Sequence, residues 1–165
     1  MFPMRAGKPD PSRAMRGYTY NLYVYPGSPM GWDGKAMSAP AANRKVIVER
    51  GSAAVELATR LGLEPLQVSG YANMMRMLAE KRADGLIAID AHVGKYLADN
   101  PQQASAVREI NPPLEARHGY VMFGKAFHAA HAGLAECFWK ALGDIRSKPA
   151  YRELVRSYQN GEFLE

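Results

Sequence analysis

The chain has one cysteine, no long apolar run and no run of like charge, and each lack removes a class of protein. A single thiol, Cys137, cannot form an intrachain disulfide, so a disulfide-stapled scaffold is excluded and the redox compartment cannot be read from it. Its surroundings, AECFWKAL, have a helical pattern, and Cys137 reads as a buried structural thiol rather than a nucleophile. No apolar stretch approaches the roughly 20 residues a bilayer-spanning helix needs. The first 17 residues also lack the continuous apolar run of about 7–15 that a secretory signal requires, which leaves a cytoplasmic chain or one whose signal lies outside this sequence. Lysine and arginine number 21 against 16 acidic residues, a net charge of +5. The basic residues are scattered, however, and no aromatic-basic motif accompanies them, so nucleic acid is not an expected partner. There is no HExxH, no GxSxG, no phosphate loop and no dinucleotide fingerprint. His92, His118, His128 and His131 show no metal-ligand spacing and read as ordinary surface histidines. No metal and no cofactor are expected, nor any catalytic residue.

What is present is the composition of one compact domain: 165 residues, 47% hydrophobic and 22% charged. Residues 1–17 read as an irregular arm. YTYNLYVYP, residues 18–26, reads as a strand with alternating faces, and residues 26–43 form a long connection full of turn formers. A regular alternation follows: strand 45–49 (KVIVE), helix 53–62 ending on Gly62, strand PLQVSG, helix 71–83 with Met74, Met77 and Leu78 inward, strand 85–89 (GLIAI), and a helix closing before Pro101. VREINPPL leads to a further strand over HGYVMFGKAF, residues 118–127. Two helices end the chain, around LAECFWKALGDIRS and PAYRELVRSYQ, the second with Pro149 in its first turn. Strand and helix alternating three times predict an α/β fold, a mostly parallel sheet flanked by helices.

Two places carry charge or hydroxyl chemistry. In RGSAA, residues 50–54, a glycine follows a strand and Ser52 heads a helix. The free N–H groups and macrodipole of a helix start suit a carboxylate or phosphate, and a serine there also serves simply to cap its own helix. Asp90 ends the third strand of the alternation. In open α/β sheets ligands collect beyond the carboxyl ends of the strands, which puts Ser52 and Asp90 on one edge. An anion site facing a carboxylate matches a ligand bearing both charges; the other reading of Asp90 is a cap on the helix 91–98. Asp84 reads as turn chemistry.

A short strand into RGS, then LAEKRADGLIAIDAHVGKYLADNP, HGYVMFGKAF and an amphipathic FWKALGDIR helix together resemble the periplasmic solute-binding proteins of the polar amino-acid uptake type. FPMRAGKPDPSRAM followed by YNLYVYPGSP resembles the segment in which such proteins leave their first lobe. The resemblance implies the type II periplasmic-binding-protein fold, two α/β lobes closing on a ligand at a hinge. Residues 1–44 would be an N-terminal arm and crossover strand, 45–112 the ligand-binding lobe, and 113–165 the return crossover and C-terminal helices. Asp90 would hold the ligand ammonium, Ser52 and the Ala53 N–H its carboxylate, with Gly51 in the same loop and Glu49 facing either the cleft or solvent. Family members commonly carry a second hydroxyl or a glycine where Ala53 stands. Most of the first lobe has no counterpart here, so the chain is expected to be a fragment, a truncated product or one completed by a partner. The implied function is extracytoplasmic binding of a small polar amino acid or similar zwitterion, delivered to a membrane permease, with a homo-oligomer covering the surface left by the missing lobe. The alternatives are a sensory domain, and a dehydratase of prephenate-like acids that would use Glu49 or His92.

Overall fold

The computed structural model describes residues 1–40, 42 and 44–159. Ala41 and Asn43 of the expected connection, and residues 160–165 of the expected C-terminal segment, lie outside the described residues. The elements are β1 (Met4–Arg5), β2 (Lys8–Pro9), β3 (Arg16–Val24), β4 (Gly31–Trp32), β5 (Met37–Ser38), β6 (Lys45–Glu49), α1 (Ala54–Arg60), β7 (Glu64–Val68), α2 (Tyr71–Ala79), β8 (Gly85–Ile89), α3 (Asp90–Asp99), β9 (Arg108–Gly119), α4 (Lys125–Ala130), α5 (Ala132–Ser147) and α6 (Pro149–Gln159). Two compact units result: Thr19–Ala116, and Met1–Tyr18 with Arg117–Tyr158.

The first unit is built on a five-stranded sheet of order β7-β6-β8-β3-β9. The expected parallel pairing holds at its centre. β6 runs parallel to β7 from Lys45↔Glu64 to Glu49↔Val68, and parallel to β8 from Val46↔Gly85 to Val48↔Ile87. β3 runs antiparallel to β8, Tyr20 opposite Ile89 and Tyr23 opposite Leu86. Val46, Ile47 and Val48 are fully buried on both faces of β6, as an unbroken β-branched run inside a helix-covered sheet must be. Alternation in β3 is lost in the same way: Tyr20 to Val24 are all buried, so both faces of this stretch are covered. Leu57 and Ala58 of α1, Met74, Met75 and Leu78 of α2, and Val93 of α3 complete the core. Met75, not the expected Met77, is the second fully buried methionine of α2; Met77 is half-buried against the same cluster.

Tight turns account for several strand boundaries. A Cβ on Gly85 would stand 2.8 Å from Met30 Sδ and 3.0 Å from Leu22 Cδ1, so a side chain at the start of β8 would press on two buried neighbours. Asp84, just before it, ties two strand starts together: its N–H donates to Lys45 O (2.9 Å) and its Oδ2 accepts from Lys45 N–H (3.2 Å). Gly62, at φ +72°, takes the left-handed position after α1.

Three sequence expectations are corrected. The arm 1–17 is ordered: β1 and β2 form a hairpin about Ala6 and Gly7, both at positive φ, and Asp10 caps a short 3-10 turn by accepting from Ser12 N–H (3.0 Å) and Ser12 Oγ (2.7 Å). The connection 26–43 contains the β4–β5 hairpin, whose turn is held by Asp33 Oδ1 accepting the Lys35 and Ala36 N–H groups at 2.8 and 2.7 Å. The strand expected at 118–127 instead occupies Arg108–Gly119, and Lys125–Ala130 is helical. Pro112 and Pro113 are tolerated because β9 is an edge strand, where missing N–H donors cost no ladder bonds.

In the second unit Trp139 is buried and donates from Nε1 to Val121 O at 2.8 Å. α5 approaches the 3-10 turn so closely that a Cβ on Gly143 would lie 2.7 Å from Ser12 O, and Arg13 pairs with Glu136 across the same contact. Cys137 is exposed rather than buried, because α5 turns Ala135 and Trp139 inward and leaves Cys137 on another face. Among the described residues no helix is long and apolar enough to cross a membrane.

Candidate functional site

The register of β6, β7 and β8 determines which loops meet. Glu49 is level with Val68, and Val48 with Ile87, so the turns after the three parallel strands emerge on one carboxyl edge, all within the Thr19–Ala116 unit. This edge holds Glu49, Gly51, Ser52 and Ala53 after β6, Gly70 and Tyr71 after β7, and Asp90 and His92 after β8. The grouping of Ser52 with Asp90 expected from the sequence thus follows directly from strand order.

The loop after β6 is shaped by its backbone. Arg50 N–H donates to Val68 O (2.9 Å) and Gly51 N–H to Gln67 Oε1 (3.3 Å), which binds the loop to β7. Gly51 sits at φ +71°, a conformation that favours glycine, and the chain then closes a turn with Ser52 N–H donating to Glu49 O at 3.1 Å. Ser52 does not occupy the N-cap; Ala53 does, without a capping side chain. Ser52 Oγ still accepts from Ala54 N–H at 3.3 Å, keeping its own O–H to give. The Ala53 N–H has no hydrogen-bond partner among the described residues. α1 has only seven residues, so these two donors matter more here than any macrodipole.

Asp90 is the first residue of α3 and does not cap it: the N-cap is Ile89, with no side-chain bond. Its Oδ1 instead accepts from Thr19 N–H on β3 at 3.1 Å, a contact permitted because Tyr20 stands opposite Ile89. Oδ2 has no partner among the described residues, and the residue is only half-buried, so a charge can be presented there without full loss of hydration. Glu49 is likewise half-buried at the end of β6.

Sequence reasoning missed a neighbouring pair. Tyr71, opening α2 after Gly70 at φ +82°, meets His92 in an edge-on ring contact at 5.4 Å, with its hydroxyl 3.1 Å from His92 Nδ1. Both residues stand just beyond strand ends, the position that had singled out Asp90. Deeper in, burial pushes the Tyr23 hydroxyl far above its usual range, and the charges of Glu109 and Asp90 add to the shift. A neutral Tyr23 therefore lies beneath this edge at all ordinary pH. Among the described residues no group of three or more His, Cys, Asp or Glu side chains could hold a metal ion.

No protein-family model matches the sequence, and no curated protein matches it. Solved structures do match in fold. The substrate-binding protein AbpA of an amino-acid ABC transporter from Streptococcus pneumoniae, bound to L-arginine, aligns with a TM-score of 0.67 over 92% of this chain at 14% identity. The GluR0 ligand-binding core in complex with L-glutamate gives 0.62 over 88% at 11% identity. The unliganded, open L-cystine solute receptor of Neisseria gonorrhoeae gives 0.55 over 92% at 19% identity. The fold is accordingly the type II periplasmic-binding-protein-like α/β fold that the family resemblance implied, with the mostly parallel sheet that the sequence pattern predicted. The chain spans 61, 60 and 60% of the length of these three proteins, respectively.

Proposed function

We propose that the Thr19–Ala116 unit is the ligand-gripping lobe of an extracytoplasmic solute-binding protein, taking a small polar amino acid or similar zwitterion and passing it to a membrane permease. The observation that carries this reading is the pairing of open groups of opposite character on one sheet edge. The Asp90 Oδ2 stands ready for an ammonium, and the Ala53 N–H with the Ser52 hydroxyl for a carboxylate. Gly51 sets the direction of the loop and Glu49 adds a second negative charge beside it. The fold supports the same reading, since structures sharing it were solved with L-arginine and L-glutamate. Binding rather than catalysis is what such a set of fixed donors and acceptors performs: it orients a charged ligand and breaks no bond.

Nitrogen-15 amide spectra of the chain, titrated with each of the standard amino acids to about 10 mM, test the proposal at affinities near the millimolar range. The expected result is saturable shifts centred on residues 51–54 and 90–92, with Thr19 following through its bond to Asp90, on addition of a polar amino acid. No shift with any of them overturns the proposal.

A further inference from the structure

We propose that the hollow between the start of β3, the last turn of α5 and the first turns of α6 binds a small molecule carrying a phosphate or similar dianion on an apolar body. The hollow, of about 350 Å³, is lined by Arg16, Gly17, Arg146, Tyr151, Arg152 and Val155, all within the second unit. Its volume suits a small-molecule ligand. Three of the six residues are arginines and none is an acid.

The occupant is identified by charge. Arg146 donates from Nη2 to Pro11 O at 3.0 Å and Arg152 from Nη2 to Ser147 O at 3.5 Å, and among the described residues neither forms an ion pair. Arg16 stands over the Tyr18 ring, its Cζ 5.9 Å from the centroid. The acids near in sequence do not neutralise the helix arginines: Asp144 precedes Arg146 by two residues and Glu153 follows Arg152 by one, spacings that do not share a helix face. Asp10, beside Pro11, is already engaged by Ser12 and Arg13. Arg146 lies in the last turn of α5, where the macrodipole favours a cation; Arg152 lies in the first turn of the 11-residue α6, where it repels one, and that turn holds no acid. An anion seated at Arg152 relieves this repulsion. Guanidinium forks match phosphate oxygens two at a time, and three of them exceed what a single carboxylate neutralises, so the site calls for a dianion. Tyr151 and Val155, both half-buried, form the apolar part of the wall, and the Tyr151 hydroxyl is taken up by Met15 O, to which it donates at 3.0 Å. A bare ion leaves that wall wet, whereas an aromatic or aliphatic ester covers it.

Phenyl phosphate is the probe. Titrated into the nitrogen-15-labelled whole chain at low salt and a pH of about 7.5, it is expected to shift the amides of residues 16, 17, 146 and 151–155, and not those of 51–54, with a Kd of about 0.1–1 mM. Inorganic phosphate, which lacks the apolar body, and benzoate, a monoanion, should each bind about 5–10-fold more weakly. Arg152→Gln should weaken phenyl phosphate about 10-fold and Arg152→Lys about 3-fold, since lysine keeps the charge but not the fork. Lys35→Gln, an equal loss of charge at an exposed residue of the other unit, should change nothing. Arg152 is exposed and held by one long bond, so its loss should leave the fold intact, which circular dichroism checks. Absence of these shifts up to about 20 mM phenyl phosphate overturns the proposal. So does binding indifferent to Arg152→Gln, weakening by Lys35→Gln of the same size, or benzoate binding as tightly as phenyl phosphate. Vesicles of anionic phospholipid that sediment the chain when phenyl phosphate does not bind it would assign the arginines to a membrane surface and overturn the proposal as well.

Discussion

Asp90 has two separable duties, and two substitutions separate them. Its Oδ1 holds Thr19 N–H at 3.1 Å, and its Oδ2 is the proposed partner of a ligand ammonium. Asp90→Asn retains an oxygen that can accept from Thr19 while removing the charge, so unfolding in urea should change by less than about 1 kcal/mol. Ligand affinity should fall by about 2–5 kcal/mol, at least about 30-fold, because an ammonium would be left facing a neutral amide. Asp90→Ala removes both functions. It should lose the same affinity and, in addition, about 1–2 kcal/mol of stability, since Thr19 is half-buried and its N–H loses its acceptor. Calorimetric or amide-shift titration with whichever amino acid binds the parent chain, beside urea unfolding of all three proteins, gives the four numbers. Unchanged affinity in Asp90→Asn would refute the ammonium role and leave the residue as a pin for β3. Equal loss of stability in the two variants would refute the idea that the Thr19 contact survives loss of charge.

Other perturbations follow from the same geometry. Gly85→Ala should destabilise by about 1–3 kcal/mol in urea or thermal unfolding, because its Cβ meets Met30 and Leu22 at 2.8 and 3.0 Å in the packed core. Gly51→Ala has open space but a left-handed φ of +71°, so it should cost about 1–2 kcal/mol by strain alone and weaken ligand binding by turning the Ala53 N–H. Tyr71→Phe removes the hydroxyl bonded to His92 and should cost about 1 kcal/mol, with amide shifts spreading to residues 90–92. Asp33 is held below its ordinary value of 3.8 by the Ala36 and Lys35 N–H groups. Its contribution to the β4–β5 turn is therefore present above about pH 4 and fades as pH falls through the lowered value, which loss of hydrogen-exchange protection at Lys35 and Ala36 in acid would report.

Two of the three parallel strands were legible to the residue, and the third, read as PLQVSG, is Glu64–Val68. KVIVE and GLIAI are β6 and β8 at Lys45–Glu49 and Gly85–Ile89, because an unbroken apolar run between turn formers has few other ways to bury itself. Helix α6 begins at Pro149 as read. What failed depended on neighbours distant in sequence. The strand near the end of the sheet was placed ten residues too late: its Pro-Pro pair argues against a strand unless the strand is known to lie at an edge, and edge position is a property of the sheet. Cys137 was placed inside from local pattern alone, though α5 turns Ala135 and Trp139 inward and leaves Cys137 on an exposed face. The Tyr71–His92 contact joins the first turns of two helices and needs strand order β7-β6-β8 before it can be seen.

A carboxylate at the end of GLIAI is awkward only if the strand is considered by itself. Within the sheet, Ile89 is the last residue opposite β3, and the next side chain stands at the edge, where one oxygen can take a backbone N–H and the other can face water. That division would make the proposed ligand grip part of the strand pairing. Drawing Oδ2 towards an ammonium can tilt the carboxylate that Oδ1 shares with Thr19, so a bound zwitterion should alter protection of the Thr19 amide as well as those of residues 51–54. Hydrogen exchange at Thr19 with and without ligand reads this coupling. A Thr19 amide indifferent to a ligand that protects Ala53 would show that the two oxygens act independently.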